Sequence, residues 1–238
     1  MVLVVALVAA CHPFKTETYT CDETMVMRPD SSSTLTISIS VDYPVKGASE
    51  EALAAMTREI LTAAFDLEDE DPTTMEETAG RYVASLKDNY LNENPEAVPT
   101  VWEDSVTGFF SGKYGPFRSY TIDYSTFTGG VHGLNTWTPL VFDMRDGALV
   151  TEQDFFVDGY AEPVSELLRK DLMERPEEDS IPLFDLWAVA VNGCYEPGED
   201  GVTWYFQPYE IAPYAYGVIA VTLPWASLKE YVREIEKK

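Results

Sequence analysis

Eleven residues near the end of the chain, Gln207-Pro208-Tyr209-Glu210-Ile211-Ala212-Pro213-Tyr214-Ala215-Tyr216-Gly217, narrow the possible folds more than any other stretch. They separate two apolar, strand-like runs at 202–206 and 218–223. Proline lacks the backbone donor that a sheet ladder needs, so two prolines here rule out a central strand and an ordinary helix. Gly217 suits a position with unusual backbone angles. The stretch therefore reads as a shaped, aromatic connection within a hairpin. Its tyrosines either pack onto the core or, with Trp204 and Trp225 nearby, form a recognition surface.

The rest of the chain alternates between the two periods of regular structure. Leu35, Ile37, Ile39, Val41 and Tyr43 alternate with Thr36, Ser38, Ser40 and Asp42, which predicts a half-buried strand ended by Pro44 and Gly47. Ser49 is a good N-cap, and Leu53, Met56, Ile60, Ala64 and Phe65 follow at helical spacing. Thr74-Met75-Glu76-Glu77 predicts a capping box, followed by a stripe of Met75, Ala79, Tyr82, Val83, Leu86 and Tyr90. Residues 101–142 read as β-structure, with a bulge expected near Gly108 and turns at Gly115-Pro116 and Asp146-Gly147. A third helix starts near Pro163 and a fourth near Trp225, while 181–195 is ambiguous between strand and helix. The predicted class is α+β, antiparallel sheet flanked by about four helices.

Residues 1–10 (MVLVVALVAA) are continuously apolar and precede Cys11. The run is too short to span a bilayer, which takes about 20 residues. It has the pattern of a lipoprotein signal peptide, truncated at its basic end, with Cys11 as the lipidated residue and a membrane anchor without a spanning helix. The expected organisation is a signal peptide over 1–10, a tether over 11–32, an N-terminal α+β half over 33–115 and a C-terminal half over 116–238. An extracytoplasmic location, at the outer membrane or cell surface, permits disulfides, so Cys21 and Cys194 are either bridged or two free thiols. The chain carries 41 acidic and 16 basic residues, a net charge of −25. That argues against nucleic-acid binding through a basic face; the acidic surface either is merely solvated or speeds encounter with a cationic partner.

Enzyme motifs are sparse. No nucleophile elbow, phosphate loop or H-E-x-x-H occurs, and the two histidines, His12 and His132, cannot build a His-rich zinc site. The acidic run 66–71 lacks the glycine and the closing glutamate of a calcium loop. No cofactor and no metal is expected. Among so many carboxylates a glycosidase-like pair is open, as is a purely structural envelope role. His132 is either a structural residue or a ligand contact in a glycine-rich loop.

Two sets of residues carry a resemblance. Ser125-Thr126-Phe127-Thr128-Gly129-Gly130-Val131-His132-Gly133, with Phe142-Asp143, Asp146-Gly147 and Asp154-Phe155-Phe156, makes one; residues 207–217 followed by Val221, Leu223 and Pro224 make the other. Together they resemble the extracytoplasmic domain of unknown function shared by RsiV-like lysozyme-sensing anti-sigma factors, the non-catalytic part of PdaC-like peptidoglycan deacetylases, and stand-alone bacterial lipoproteins. The resemblance implies an α+β fold and a non-enzymatic binding role at the envelope, toward lysozyme or peptidoglycan fragments, with His132, Tyr209, Glu210, Tyr214 and Tyr216 as candidate binding residues. Neither a sigma-binding segment nor a deacetylase domain accompanies it, so those activities are not implied.

Overall fold

The computed structural model describes residues 13–65 and 73–234. The expected signal peptide, Cys11, His12 and the acidic run 66–71 lie outside the described residues.

The alternation in the sequence becomes the spine of a five-stranded sheet. Its order is β1 (Lys15–Val26), β2 (Thr34–Lys46), β3 (Val101–Tyr114), β4 (Phe117–Phe127) and β5 (Leu134–Asp143). All neighbours are antiparallel except β2 and β3, which run parallel because two helices intervene. Those helices, α1 (Glu50–Phe65) and α2 (Met75–Asn92), cover one face. Leu35, Ile37, Ile39 and Val41 point at Met56, Ile60, Ala79 and Val83. Each fully buried side chain of this size contributes about 1.5–3 kcal/mol. The opposite face keeps Thr36, Ser38, Ser40 and Asp42, as the period of two demands.

The caps follow the sequence. Ser49 Oγ accepts from Ala52 N at 3.2 Å, and Thr74 Oγ1 accepts from Glu77 N at 3.3 Å. Each such cap is worth about 1 kcal/mol. A serine clasp closes the long excursion between β2 and β3: Ser33 Oγ donates to Val98 O at 3.2 Å and accepts from Thr100 N at 3.1 Å.

Beyond β5 the chain builds a second layer with its own core. A single turn, α3 (Glu152–Phe155), and a full helix, α4 (Ala161–Glu174), precede a three-stranded antiparallel sheet of β6 (Tyr195–Pro197), β7 (Gly201–Phe206) and β8 (Ile219–Pro224). Phe155, Phe156, Val164, Leu168, Trp204 and Phe206 lie at its centre. Thr151 and Asp154 form a complete capping box at α3. At the seam, Tyr114 stacks on Trp225 at 4.0 Å and Ser119 Oγ donates to Pro197 O at 3.0 Å.

Five expectations change. The tether over 11–32 is not one throughout, since Lys15–Val26 pairs along its length with β2. Tyr19, Cys21 and Met25 pack against the first core, a period-two signal diluted by four threonines and four charges in twelve residues. The two halves meet later than 115/116, because β4 and β5 complete the first sheet. Residues 181–195 are mostly irregular, with two 3-10 turns at Glu177–Asp179 and Leu186–Ala188 around and within them. The helix expected at Trp225 is one turn, α5 (Trp225–Leu228). The bulge in β3 lies between Phe110 and Gly112 rather than at Gly108. Gly108 instead makes room for Tyr120, whose hydroxyl would collide with a Cβ there and donates to Asp42 O at 2.8 Å.

Of the two alternatives for Cys21 and Cys194, the structure has the free thiols. Cys21 sits on β1, at one edge of the sheet, while Cys194 contacts Trp137 on β5, at the other. Four strand spacings of about 4.8 Å separate these edges, far beyond the roughly 7 Å limit between bridged Cα atoms.

Candidate functional site

The connection at 207–217 is held by polar side chains that leave its rings outside. Gln207 reaches the open edge of β5, where Oε1 accepts from Trp137 N at 3.0 Å and Nε2 donates to Trp137 O at 2.8 Å. One side-chain amide thus replaces a neighbouring strand at that position. Glu210 folds back on its own turn, Oε2 accepting from Gln207 N at 2.7 Å and Oε1 from Asn192 Nδ2 at 2.9 Å. Ile211 and Ala212 are buried and anchor the middle. Between these anchors Tyr209 takes φ +70°, a left-handed conformation costly for a non-glycine residue, and Gly217 takes φ +61° where the chain re-enters the sheet.

The glycine-rich loop between β4 and β5 meets this connection. His132 stacks on Tyr214 with ring centroids 3.9 Å apart and planes 19° apart. Its Nε2 lies 3.1 Å from the Tyr209 hydroxyl and its Nδ1 lies 2.8 Å from Gly133 O. A carbonyl only accepts, so Nδ1 carries a proton; in the neutral ring Nε2 then accepts from the tyrosine. Tyr209 and Tyr214 are themselves 5.6 Å apart. The cluster faces solvent: Tyr209 is 55% exposed, and Val131 beside it is 99% exposed.

The candidate residues therefore divide by role. His132, Tyr209 and Tyr214 form one surface across 77 positions of sequence. Tyr216 is 45% exposed but makes no ring contact with them among the described residues. Glu210 is a clamp on the loop. Cys194 belongs to the scaffold: burial pushes its thiol up to about 12, with the Glu210 and Glu152 carboxylates adding to the rise, so it stays neutral and donates toward Trp137 O at 3.4 Å. Sequence reading missed Asn192, which joins Glu210 to Tyr205 O (2.9 Å) from within an ambiguous segment. No group of three or more His, Cys, Asp or Glu among the described residues is placed to hold a metal. No described helix is long and apolar enough to cross a membrane.

Two carboxylates are buried elsewhere. Glu152, 4% exposed, accepts from Trp204 Nε1 at 2.5 Å and from the Tyr160 hydroxyl at 2.9 Å. Asp104, also 4% exposed, accepts from the hydroxyls of Tyr82 at 2.7 Å and Tyr124 at 3.0 Å. Burial raises both above the ordinary carboxylate range, and the hydrogen bonds offset part of the rise.

Residues 153–226 match a family described as a protein of unknown function, DUF3298. The fold is shared with two solved members of that family. One, from Bacteroides fragilis, is 19% identical, with a TM-score of 0.76 over 94% of this chain and 95% of that one. The other, from Pseudomonas aeruginosa, is 18% identical, with a TM-score of 0.69 over 94% of this chain and 96% of that one. No curated protein sequence matches the chain. The matched residues, 153–226, include the 207–217 loop and lie outside the 125–133 loop.

Proposed function

We propose that the chain is a membrane-anchored bacterial lipoprotein acting as a non-enzymatic binding module at the cell envelope, and that the surface of His132, Tyr209 and Tyr214 engages a cationic protein of the lysozyme type. The observation that carries this reading is the exposed cluster itself. Two loops distant in sequence bring three rings together at the surface, with Tyr214 half-buried, while Gln207, Glu210 and Asn192 fix the backbone behind them. Rigid aromatic side chains on a fixed backbone lose little entropy when a partner covers them, which is the economy of a binding surface. The net charge of −25 steers basic proteins toward this chain. The anchor rests on the 1–11 pattern alone. A scaffolding role for the buried carboxylates, whose oxygens already accept from tyrosine or tryptophan donors, fits binding better than catalysis.

The test is retention of the folded protein on an immobilised basic lysozyme at low and high salt, with insoluble peptidoglycan in parallel. Retention at low salt is expected, weakening as the Debye length shrinks from about 10 Å at 0.1 M to about 3 Å at 1 M. Tyr209→Ala and His132→Ala are each expected to weaken binding about tenfold. Failure to retain lysozyme at low salt overturns the reading; retention by peptidoglycan alone replaces the protein partner with a glycan one.

A further inference from the structure

We propose that the cleft between α2 and the β4–β5 end of the sheet is a second binding site, built for a neutral ring that donates hydrogen bonds, of the saccharide class. The cleft has a volume of about 410 Å³, within the roughly 300–1,000 Å³ of small-molecule sites. It lies on the helix-covered side of the sheet, where the stripe of α2 turns away from the core. Tyr82 and Leu86, which the helical period places with Ala79 and Val83, are only half-buried because they line this space.

Its chemistry is selective in three ways. First, the described residues of the lining include no Asp, Glu, Lys, Arg or His. Against those residues an anion or a cation would lose its hydration without a compensating charge. Second, the wall is aromatic, with Phe65 and Tyr82 at 5.3 Å between centroids and Tyr124 beside them. Flat rings suit the apolar C–H face of a pyranose. Third, the polar groups are sorted. Asp104 lies beneath both tyrosines and takes the single proton of each hydroxyl. What each tyrosine oxygen offers a ligand is therefore a lone pair. Burial, and then the Asp104 carboxylate, hold the Tyr82 hydroxyl in its protonated form, which keeps this arrangement fixed.

Around the rim, Ser85, Asn89, Thr136 and Thr138 make no side-chain hydrogen bond to another described residue. An acyl chain filling the cleft would strip water from these groups and return nothing. A sugar satisfies them, its hydroxyls donating to tyrosine and threonine oxygens and accepting from the Asn89 amide. An N-acetylated hexose adds one more N–H donor.

The test is a titration of the folded protein with N-acetylglucosamine, read by backbone amide NMR. Saturable shifts are expected at Tyr124, Thr136 and Thr138, with a weak dissociation constant, roughly millimolar, as suits so small a ligand. Thr136→Val and Thr138→Val keep a β-branched side chain in the strand and remove one hydroxyl each; each is expected to weaken binding about fivefold. Asp104 is a positioning residue. In Asp104→Asn the new amide N–H donates to one tyrosine oxygen and turns that hydroxyl's proton outward. This variant is expected to lose affinity for the free sugar and gain it for the O-methylated sugar, whose ether oxygens only accept. A general structural defect would weaken both. Absence of saturable shifts at tens of millimolar sugar overturns the site, as do shifts indifferent to both threonine variants or an Asp104→Asn protein that weakens both sugars alike.

Discussion

Asp104 and Glu152 are alike in almost every local respect and differ in what surrounds them. Each is a 4%-exposed carboxylate holding a tyrosine hydroxyl, and burial raises each above its ordinary range. Glu152 sits in packed apolar material among Trp204, Tyr160 and Phe156, where it accepts from the indole N–H and the phenol O–H. Asp104 lies under tyrosines that wall an open cleft. The same motif therefore closes a core in one place and sets the polarity of a cavity in the other. Burial of a carboxylate does not by itself indicate function; the space its partners face does.

The largest expected effect comes from removing the closed one. Glu152→Ala leaves the Trp204 N–H and the Tyr160 O–H buried without an acceptor, at about 3 kcal/mol or more in urea unfolding. Asp104→Ala is expected to cost about half as much, because water in the cleft can take the freed hydroxyls. Equal losses would erase the distinction.

The pH dependence comes next. A carboxyl whose native value is raised binds its proton more tightly folded than unfolded, so its contribution is fully present below the unfolded value, about 4.3 for Glu. It is lost as pH climbs from there through the native value, with a slope of at most about 1.4 kcal/mol per pH unit for one group. Stability measured upward from pH 4 should fall in this window, and Glu152→Gln should remove part of the fall. Asp143 acts in the opposite direction. Burial alone would raise it, but its bonds to Arg145 hold it below the usual range. Its contribution is present above the unfolded value and lost as pH drops through the native one, so Asp143→Asn should blunt the decline at the acid end.

Smaller again is the tyrosine comparison. Tyr160→Phe should cost about 1.5 kcal/mol and Tyr124→Phe about 0.5 kcal/mol, since only the first leaves Glu152 short of a donor in a dry site. His132→Ala marks the floor, with a change in stability under about 0.5 kcal/mol, because the ring is exposed and its partners are solvated. A larger loss would make the cluster part of the scaffold.

Much of this could be read from the sequence where one signal dominated. The alternation at 35–43, the caps at Ser49 and Thr74 and the shape of 207–217 each reflect local backbone chemistry, and each reappears in the fold. β1 was obscured because an edge strand is stabilised by pairing to one side only and tolerates Thr, Glu and Asp where a central strand needs apolar residues. At the exposed cluster, His132 and Tyr209 were visible as loop residues, but their meeting depends on Gln207 binding the edge of β5, a contact without periodicity. The cleft was hidden for a different reason. Tyr82 and Leu86 are on the helical stripe and read as core; only the position where α2 leaves the sheet decides that they face a cavity.

The serine clasp at the start of β2 has a kinetic meaning. The parallel pairing of β2 with β3 joins residues 67 positions apart at Ser33 and Thr100, and closing a loop of that length costs about 3.7 kcal/mol of chain entropy by the logarithmic rule. The β3–β4–β5 meander has no such loop, its turns being short. Folding of the first layer is thus ordered by connectivity: the meander assembles cheaply, α1 and α2 form locally, and β2 docks only when the clasp can close behind them. β1 joins β2 through the short loop 27–33, so the two form a hairpin as cheaply as the meander and dock onto β3 as one unit.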